Sequence, residues 1–364
     1  MGLKVNKVKA DLCSYPPFLF LAERKFGKTT WWYNLVPAAW GDDSKGYLIS
    51  FGDEEGYHAL DGLQVEVAKK WSAPYDEETG ERGFVQIVDD IIENNDEYGL
   101  KGVCFDTLDT MVEVATQEVL RQHKIEVGTV CKSLNDAFKG YGRGAERLMQ
   151  IMDEQIARLK SAGLAVFILC HTKQKEKTDL RSGVKYEQIT NNLQANIYTN
   201  IADKAQMVMV GLMDRTIEEG RIVDEERYIH LRGTSEVDAG SRFNDLPERI
   251  SLDPKDFLAA FEQGVKGSMR NKSVDVDKLK EDEQKALKER AEIAKKKEAE
   301  AAKNAKLEEK REEYIDVIVR KIPNASDEAK KKFKDLVNES GCSNIKDPNM
   351  PIDMLMKIAG LLVS

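Results

Sequence analysis

FLFLAERKFGKTTWW, Phe18 to Trp32, is the stretch on which the reading of this chain turns. Four apolar residues, Phe18 to Leu21, are long enough for a short buried strand. The chain then turns through Ala22, Glu23, Arg24, Lys25, Phe26, Gly27, Lys28, Thr29 and Thr30 into a helical pattern. A strand that stops abruptly, a loop whose N–H groups face inward and a helix that presents its positive end together make a phosphate-binding device. Gly27 lets the backbone approach an anion closely, Lys28 reaches the β- and γ-phosphates, and the Thr29 hydroxyl is placed to ligate Mg²⁺. Ala22 stands where the GxxxxGK[ST] pattern has its first glycine, a change that a negative φ accommodates. The helix is expected over residues 28–39, with Pro37 ending it early.

Around this stretch, composition sets the bounds. A chain of 364 residues holds one α/β domain of about 250 residues plus something smaller. The net charge of −9 excludes a molecule that is basic overall, so any nucleic-acid surface must be local. Five scattered cysteines without CxxC spacing point to a reducing cytosol and no zinc site. No apolar run approaches the ~20 residues that a membrane helix needs, and a cytoplasmic protein with no membrane partner is expected.

Downstream, Tyr47 to Phe51 reads as a strand running into Gly52-Asp53-Glu54-Glu55-Gly56. Carboxylates at a strand's carboxyl end sit where an α/β sheet binds its ligand, so Glu54 or Glu55 is positioned to polarise an attacking water. A solvated acidic turn is the alternative. Val103 to Phe105 is a further buried strand, and Asp106 at its end is placed to hold Mg²⁺. Ile125 to Gly144 is irregular and ends in KGYGRGAE. There Lys139, Tyr141 and Arg143 among glycines offer cations and an aromatic face suited to single-stranded nucleic acid, or simply a flexible loop. LAVFILC, Leu164 to Cys170, reads as a central strand covered on both faces, with His171 at its end as a polar sensor of the terminal phosphate. A basic loop follows. Between Thr172 and Glu187 five cations (Lys173, Lys175, Lys177, Arg181, Lys185) face three anions. Ala205 to Leu212 and Arg227 to Leu231 are expected strands, joined through a polar turn at 217–223. Beyond them Arg232 and Arg242 could reach a neighbouring subunit's nucleotide or lie on the surface of a hairpin.

The order of phosphate loop, acidic strand end, Asp106, LAVFILCHT, basic loop and AGSRFNDLP resembles the RecA-like ATPase core, in particular the phage-encoded RecA-like ATPases of the single-strand annealing type. The resemblance covers about Val5 to Phe261. It implies an α/β P-loop NTPase core with a mostly parallel central sheet, ATP and Mg²⁺ as cofactors, and single-stranded DNA and further copies of the chain as partners. It matches Glu54 or Glu55 to the catalytic glutamate, His171 to the γ-phosphate sensor, residues 125–144 and 172–199 to two DNA-binding loops, and Arg242 to a basic finger acting across subunits. The chain departs from the family at Ala22 and at His171, where the bacterial recombinase carries an amide. The function implied is an ATP-dependent recombination protein promoting annealing or strand exchange in a phage-infected bacterial cytoplasm. A ring-forming, helicase-like motor and a nucleotide-locked annealing protein without turnover are the alternatives.

Past Gly264 the composition changes. Lys272 to Glu312 holds 13 Lys and Arg against 12 Asp and Glu, with i,i+4 pairs such as Glu281/Lys285 that suit a long solvated helix. Three further short helices are expected, Tyr314 to Ile322, Asp327 to Asn338 with Ser326 as cap, and Ile352 to Val363. The expected divisions are 1–264 for the core, 265–312 for a charged helical linker and 313–364 for a small helical domain. That last domain could bind DNA, a single-strand DNA-binding protein or another subunit.

Overall fold

The structure is a computed structural model that describes residues 8–53, 56–218, 221–269, 276–342, 344–347 and 350–363. Phe18–Ala22 forms β1, Lys28–Trp40 α1, Gly46–Phe51 β2, Val65–Ala68 β3, Phe84–Tyr98 α2, Gly102–Asp106 β4 and Leu108–Val127 α3. Arg143–Ser161 follows as α4, Ala165–Thr178 as β5, Lys185–Asn191 as β6, Ala195–Ala202 as α5, Met207–Glu218 as β7 and Arg221–His230 as β8. Gly240–Ser241 and Arg249–Ser251 are β9 and β10, and the helices Pro254–Ser268, Val276–Lys321, Asp327–Glu339 and Ile352–Val363 are α6 to α9. The chain divides into two compact units, residues 1–292 and 293–364.

In the first unit the sheet runs in the order β10-β8-β7-β1-β5-β4-β2-β3, with β7, β1, β5, β4, β2 and β3 parallel. Mixed α/β architecture with a mostly parallel central sheet is therefore the fold. Continuous apolar runs arise because both faces of these strands are covered. On β1, Phe18 and Phe20 join one core with Trp31, Trp32 and Leu35 of α1 and Phe257 and Phe261 of α6. Leu19 and Leu21 join the opposite core with Phe84, Ile87 and Val88 of α2, Leu108 and Met111 of α3, and Leu148 and Met152 of α4. β5 alternates in the same way, Phe167 and Leu169 to the first core, Val166, Ile168 and Cys170 to the second. Phe18 stacks on Phe167 at 4.8 Å and Trp31 meets Phe20 edge-on at 5.0 Å, so α1 is fixed directly over the strand that feeds it. Each such fully buried aromatic contributes about 2 to 3 kcal/mol of transfer free energy.

The elements differ from expectation at several places. Pro37 lies inside α1, which continues to Trp40 and closes on Gly41, whose N–H donates to the Pro37 carbonyl at 2.8 Å. One turn from a helix end, proline forfeits a single i→i−4 bond, and burial of α1 outweighs it. The basic stretch after His171 is not a loop: β5 runs on to Thr178 and pairs antiparallel with β6 from Thr172↔Asn191 to Thr178↔Lys185. The polar turn expected at 217–223 is mostly strand instead, since β7 reaches Glu218 and β8 starts at Arg221. The residues from Tyr314 to Lys321 continue α7 without a break.

In the second unit, Ile318, Val337, Leu355 and Ile358 close a small core, and Ser326 Oγ caps α8 by accepting from the Ala329 N–H at 3.2 Å. Among the described residues, no helix is long and apolar enough to cross a membrane.

Candidate functional site

The parallel register brings several strand ends to one edge. Ala22 lies beside His171 of β5 on one side and Gly211 of β7 on the other, while Asp106 lies between Leu169 and Ser50. Crevices outside such carboxyl ends are where open α/β sheets bind ligands. Here the edge opens into a cleft of about 660 Å³ whose lining includes Lys28, Thr29, Thr30, Asp53, Asp106, Glu113 and His171.

The loop that enters the cleft is held from below. Ala22 is a fully buried strand residue outside the left-handed region, so the missing glycine costs no backbone strain. Phe26, fully buried, pins the loop from inside; a Cβ on Gly211 would meet its ring at 2.6 Å, and glycine there makes the space. Gly27 has φ 104°, a conformation that side chains resist, and it caps α1. Lys28 is buried and its Nζ donates to the carbonyls of Ala22 at 3.1 Å and Glu23 at 3.0 Å, which keeps the ammonium over the loop. Glu23, Arg24 and Lys25 are exposed, and Arg24 and Lys25 line the cleft.

Thr29 Oγ1 donates to Asp106 Oδ2 at 2.7 Å. A hydroxyl and a carboxylate, both hard oxygen ligands, so meet at the first turn of α1, and this donor set fits Mg²⁺ bound together with phosphate oxygens. Such an ion would neutralise charge that develops on the phosphates. Asp53 and Gly56 also line the cleft. Glu54 and Glu55, the expected water-activating carboxylates, lie outside the described residues.

His171 and Asp109 form the next layer. Asp109 Oδ2 accepts from the His171 backbone N–H at 2.8 Å and lies 3.3 Å from its Nδ1. Burial pushes the Asp109 carboxyl up, but the hydrogen bonds from His171 outweigh it and hold the group below the ordinary carboxylate range. Its second oxygen, Oδ1, is buried without a hydrogen-bond partner among the described residues. Sequence reasoning missed Asp109 and Glu113. For Glu113 the signal is helical spacing: Thr107 at the cap of α3 and Thr110, Glu113 and Val114 along it recur at i+3 and i+4 and all line the cleft, and Asp109 stands one turn before Glu113.

β5 carries the lysines out of the cleft. Lys173, Lys175 and Lys177 alternate with Gln174 and Glu176, so the cations share one face of the ribbon. Lys175 donates to the Leu193 carbonyl at 3.2 Å, and burial followed by the flanking Lys173 and Lys177 charges lowers its pKa. Lys177 lies 3.9 Å from Asp238, and Lys185 pairs with Glu176 at 2.8 Å. Arg181 is exposed at the tip beside Leu180. Lys139 and Tyr141 lie elsewhere, in a turn of left-handed residues (φ 71° and 57°) that joins α3 to α4, where Arg143 begins the helix. Tyr141 is 97% exposed.

Arg242 is not brought to the cleft. It follows β9, which pairs with the first residues of β7, so it sits at the opposite edge of the sheet, its guanidinium donating to the Asp203 carbonyl at 2.5 Å. Arg232 donates to the Asn244 carbonyl at 2.8 Å.

A comparison with family models matches residues 16–243, more than half of the chain, to a family described as AAA domain. The match spans β1 through β9 and so contains every cleft residue named above. Comparison with curated proteins finds no match.

Proposed function

The chain belongs to the AAA-domain family of P-loop ATPases, and from that premise we propose that it hydrolyses ATP in step with binding single-stranded DNA. The observation that carries the reading is the continuity of β5. One strand begins in the core, passes His171 at the cleft and ends in the lysine ribbon with no break between them. A displacement of His171 by a terminal phosphate would be transmitted along a rigid paired strand to Lys173, Lys175 and Lys177.

In this reading the loop from Ala22 to Thr30 wraps the phosphates and Lys28 neutralises them, while Thr29 and Asp106 hold Mg²⁺. Glu54 or Glu55 orients the attacking water. His171, positioned by Asp109, responds to the γ-phosphate. The lysine ribbon with Arg181 and Lys185 contacts the DNA backbone, and Lys139, Tyr141 and Arg143 add a stacking face. Arg242, at the far edge of the sheet, would meet a nucleotide only from another copy of the chain, which fits a homo-oligomeric assembly. The finer assignment, annealing or strand exchange in phage recombination, rests on the resemblance of the motif order to RecA-like phage ATPases.

The test is steady-state ATP hydrolysis with and without single-stranded DNA, wild type beside Lys28→Ala. DNA-stimulated turnover that disappears in the variant supports the reading. ATP binding without turnover under either condition sinks the catalytic assignments.

A further inference from the structure

Two hairpin ribbons leave the sheet at the edge where the cleft opens. β1 lies between β5 and β7, so the phosphate loop at its end has the β5–β6 ribbon on one side and the β7–β8 ribbon on the other. Their faces carry opposite charge. On the first, Lys173, Lys175 and Lys177 share a face, and the residues opposite them, Thr190, Gln188 and Tyr186, are uncharged. On the second, Asp214 and Thr216 lie directly opposite Glu226 and Asp224, so three carboxylates share a face. Like charges directly opposite each other, as Asp214 and Glu226 are, weaken a ribbon that has nothing else to gain from them. Arg249 answers Asp214 at 2.7 Å, but Asp224 and Glu226 have no ion pair among the described residues. Both ribbons also end in bare apolar side chains: Leu180 is fully exposed on the first with Val184 beside it, and Ile222 and Val223 are more than half exposed on the second.

Exposed apolar side chains beside a face of a single sign make a contact surface, and the face of opposite sign is its complement. Within one chain no ion pair joins the two ribbons among the described residues, although both flank the same loop. We propose that the β7–β8 ribbon of one copy docks on the β5–β6 ribbon of a second copy, with Asp224 and Glu226 against the lysine row and Ile222 and Val223 against Leu180 and Val184. The periods agree, since residues two apart on a strand stand roughly 6.7 Å apart on either ribbon. Copies set side by side in one orientation bring each acidic ribbon against the next copy's basic one. That contact is head-to-tail, and it closes into a ring or runs on as a filament. The docking ribbon is tied at its base to its own phosphate loop: Arg227 Nη1 donates to the Phe26 carbonyl at 3.0 Å, and Arg215 lies 3.3 Å from the Glu23 carboxylate. The inference rests on the homo-oligomeric reading above and not on the catalytic or DNA assignments.

The experiment is sedimentation velocity of the full chain over a concentration series, at low salt so that the charges are not screened. It is made without DNA, because the lysine row is also the surface assigned to DNA and the two occupants would compete. Wild type is expected to associate. Asp224→Lys with Glu226→Lys, and separately Lys173→Glu with Lys177→Glu, should each lose association, because each variant sets like charge against like. The two variants mixed should associate again, since the reversed ribbon of each meets a complementary ribbon on the other, a recovery that a misfolded variant does not give. Association of either variant alone as in wild type overturns the docking and leaves the oligomer to another surface. A mixture that stays monomeric also overturns it. Wild type that is monomeric throughout removes the oligomer and the docking together.

Discussion

Thr29 Oγ1 donates a 2.7 Å hydrogen bond to Asp106 Oδ2, joining the first turn of α1 to the end of β4 across 77 residues. Two oxygens prearranged in this way can move apart just enough to share a cation without reorganising the sheet. Asp106→Asn keeps the shape and an acceptor for Thr29 but removes the charge that Mg²⁺ needs. Hydrolysis should fall by at least about a hundredfold, because several kcal/mol of charge stabilisation are lost. A magnesium titration of turnover checks this. Wild-type rates in the variant would remove Asp106 from the metal site.

How much of this was legible in the sequence follows from where each signal lives. The phosphate loop and Asp106 were readable because each is a local event, an apolar strand ending in the polar residues that do the chemistry. The ribbon was not. Lys173, Lys175 and Lys177 have the period of a strand, but this part of β5 buries little side-chain surface, so hydrophobic alternation gives no sign of it. It exists because β6 returns to pair with it, a long-range fact. Arg227 and Arg215 were hidden for the same reason, since they reach the phosphate loop from about 200 residues away, |i−j| being 201 for Arg227 and 192 for Arg215. Pro37 misled in the other direction, because a local breaker near a helix end is outweighed by the burial of Trp31, Trp32 and Leu35.

The ribbon makes a separable prediction. Lys173→Ala with Lys177→Ala removes two exposed cations and leaves Lys175 on its carbonyl partner. If both contact phosphates, the slope of log affinity for single-stranded DNA against log salt should shrink by about 1.4, roughly 0.7 for each contact. Filter binding over a salt series reads it. An unchanged slope would place the DNA on another surface.

Asp109 predicts acid sensitivity. Its folded carboxyl titrates below the ordinary range, so its stabilising contribution is present above the unfolded value, near 4, and fades as pH falls through the lower folded value. Asp109→Asn should therefore cost about 1 kcal/mol at neutral pH, and the gap to wild type should close in acid. Denaturant melts at pH 7 and at pH 3 compare the two proteins. A gap of the same size at both values would show that the charge on Asp109 is irrelevant.

Lys160 predicts the opposite edge of the pH range. Its ammonium, donating to the Cys13 carbonyl at 2.7 Å and the Leu164 carbonyl at 3.0 Å, is pushed down to about 8 by burial, with Cys13 and Asp11 opposing the shift. Below pH 8 it is protonated folded and unfolded, and its burial penalty is fully present. Between 8 and the unfolded value near 10.5 the unfolded chain binds the extra proton, so stability rises with pH. Tyr15, Tyr47 and Tyr198, all pushed up by burial, pull the other way as the unfolded chain ionises. They cancel when wild type is compared with Lys160→Met. From pH 7 to 10 that comparison should move toward wild type by about 2 kcal/mol. A flat difference would mean that Lys160 titrates normally.

Glu283 tests what the charged helix does for the core. This carboxylate at the start of α7 is buried, and it accepts from the N–H groups of Ala10 at 2.7 Å and Asp11 at 2.9 Å and from Ser14 Oγ at 3.4 Å. Leu279 and Leu287, one turn to either side, pack on the same apolar core as α1 and α6. The first turns of α7 are therefore part of the folded unit, and Glu283 is the group that holds the segment before β1 against it. Removing the carboxylate strands two buried donors, whose desolvation costs about 1 to 3 kcal/mol apiece. Glu283→Ala should lower the stability of the first unit by about 2 to 4 kcal/mol and raise protease cleavage near residues 8–14. Glu283→Gln, which keeps an acceptor, should recover part of the loss. Equal stability of Glu283→Ala and wild type, with an unchanged cleavage pattern, would show that α7 lies on the core without securing it.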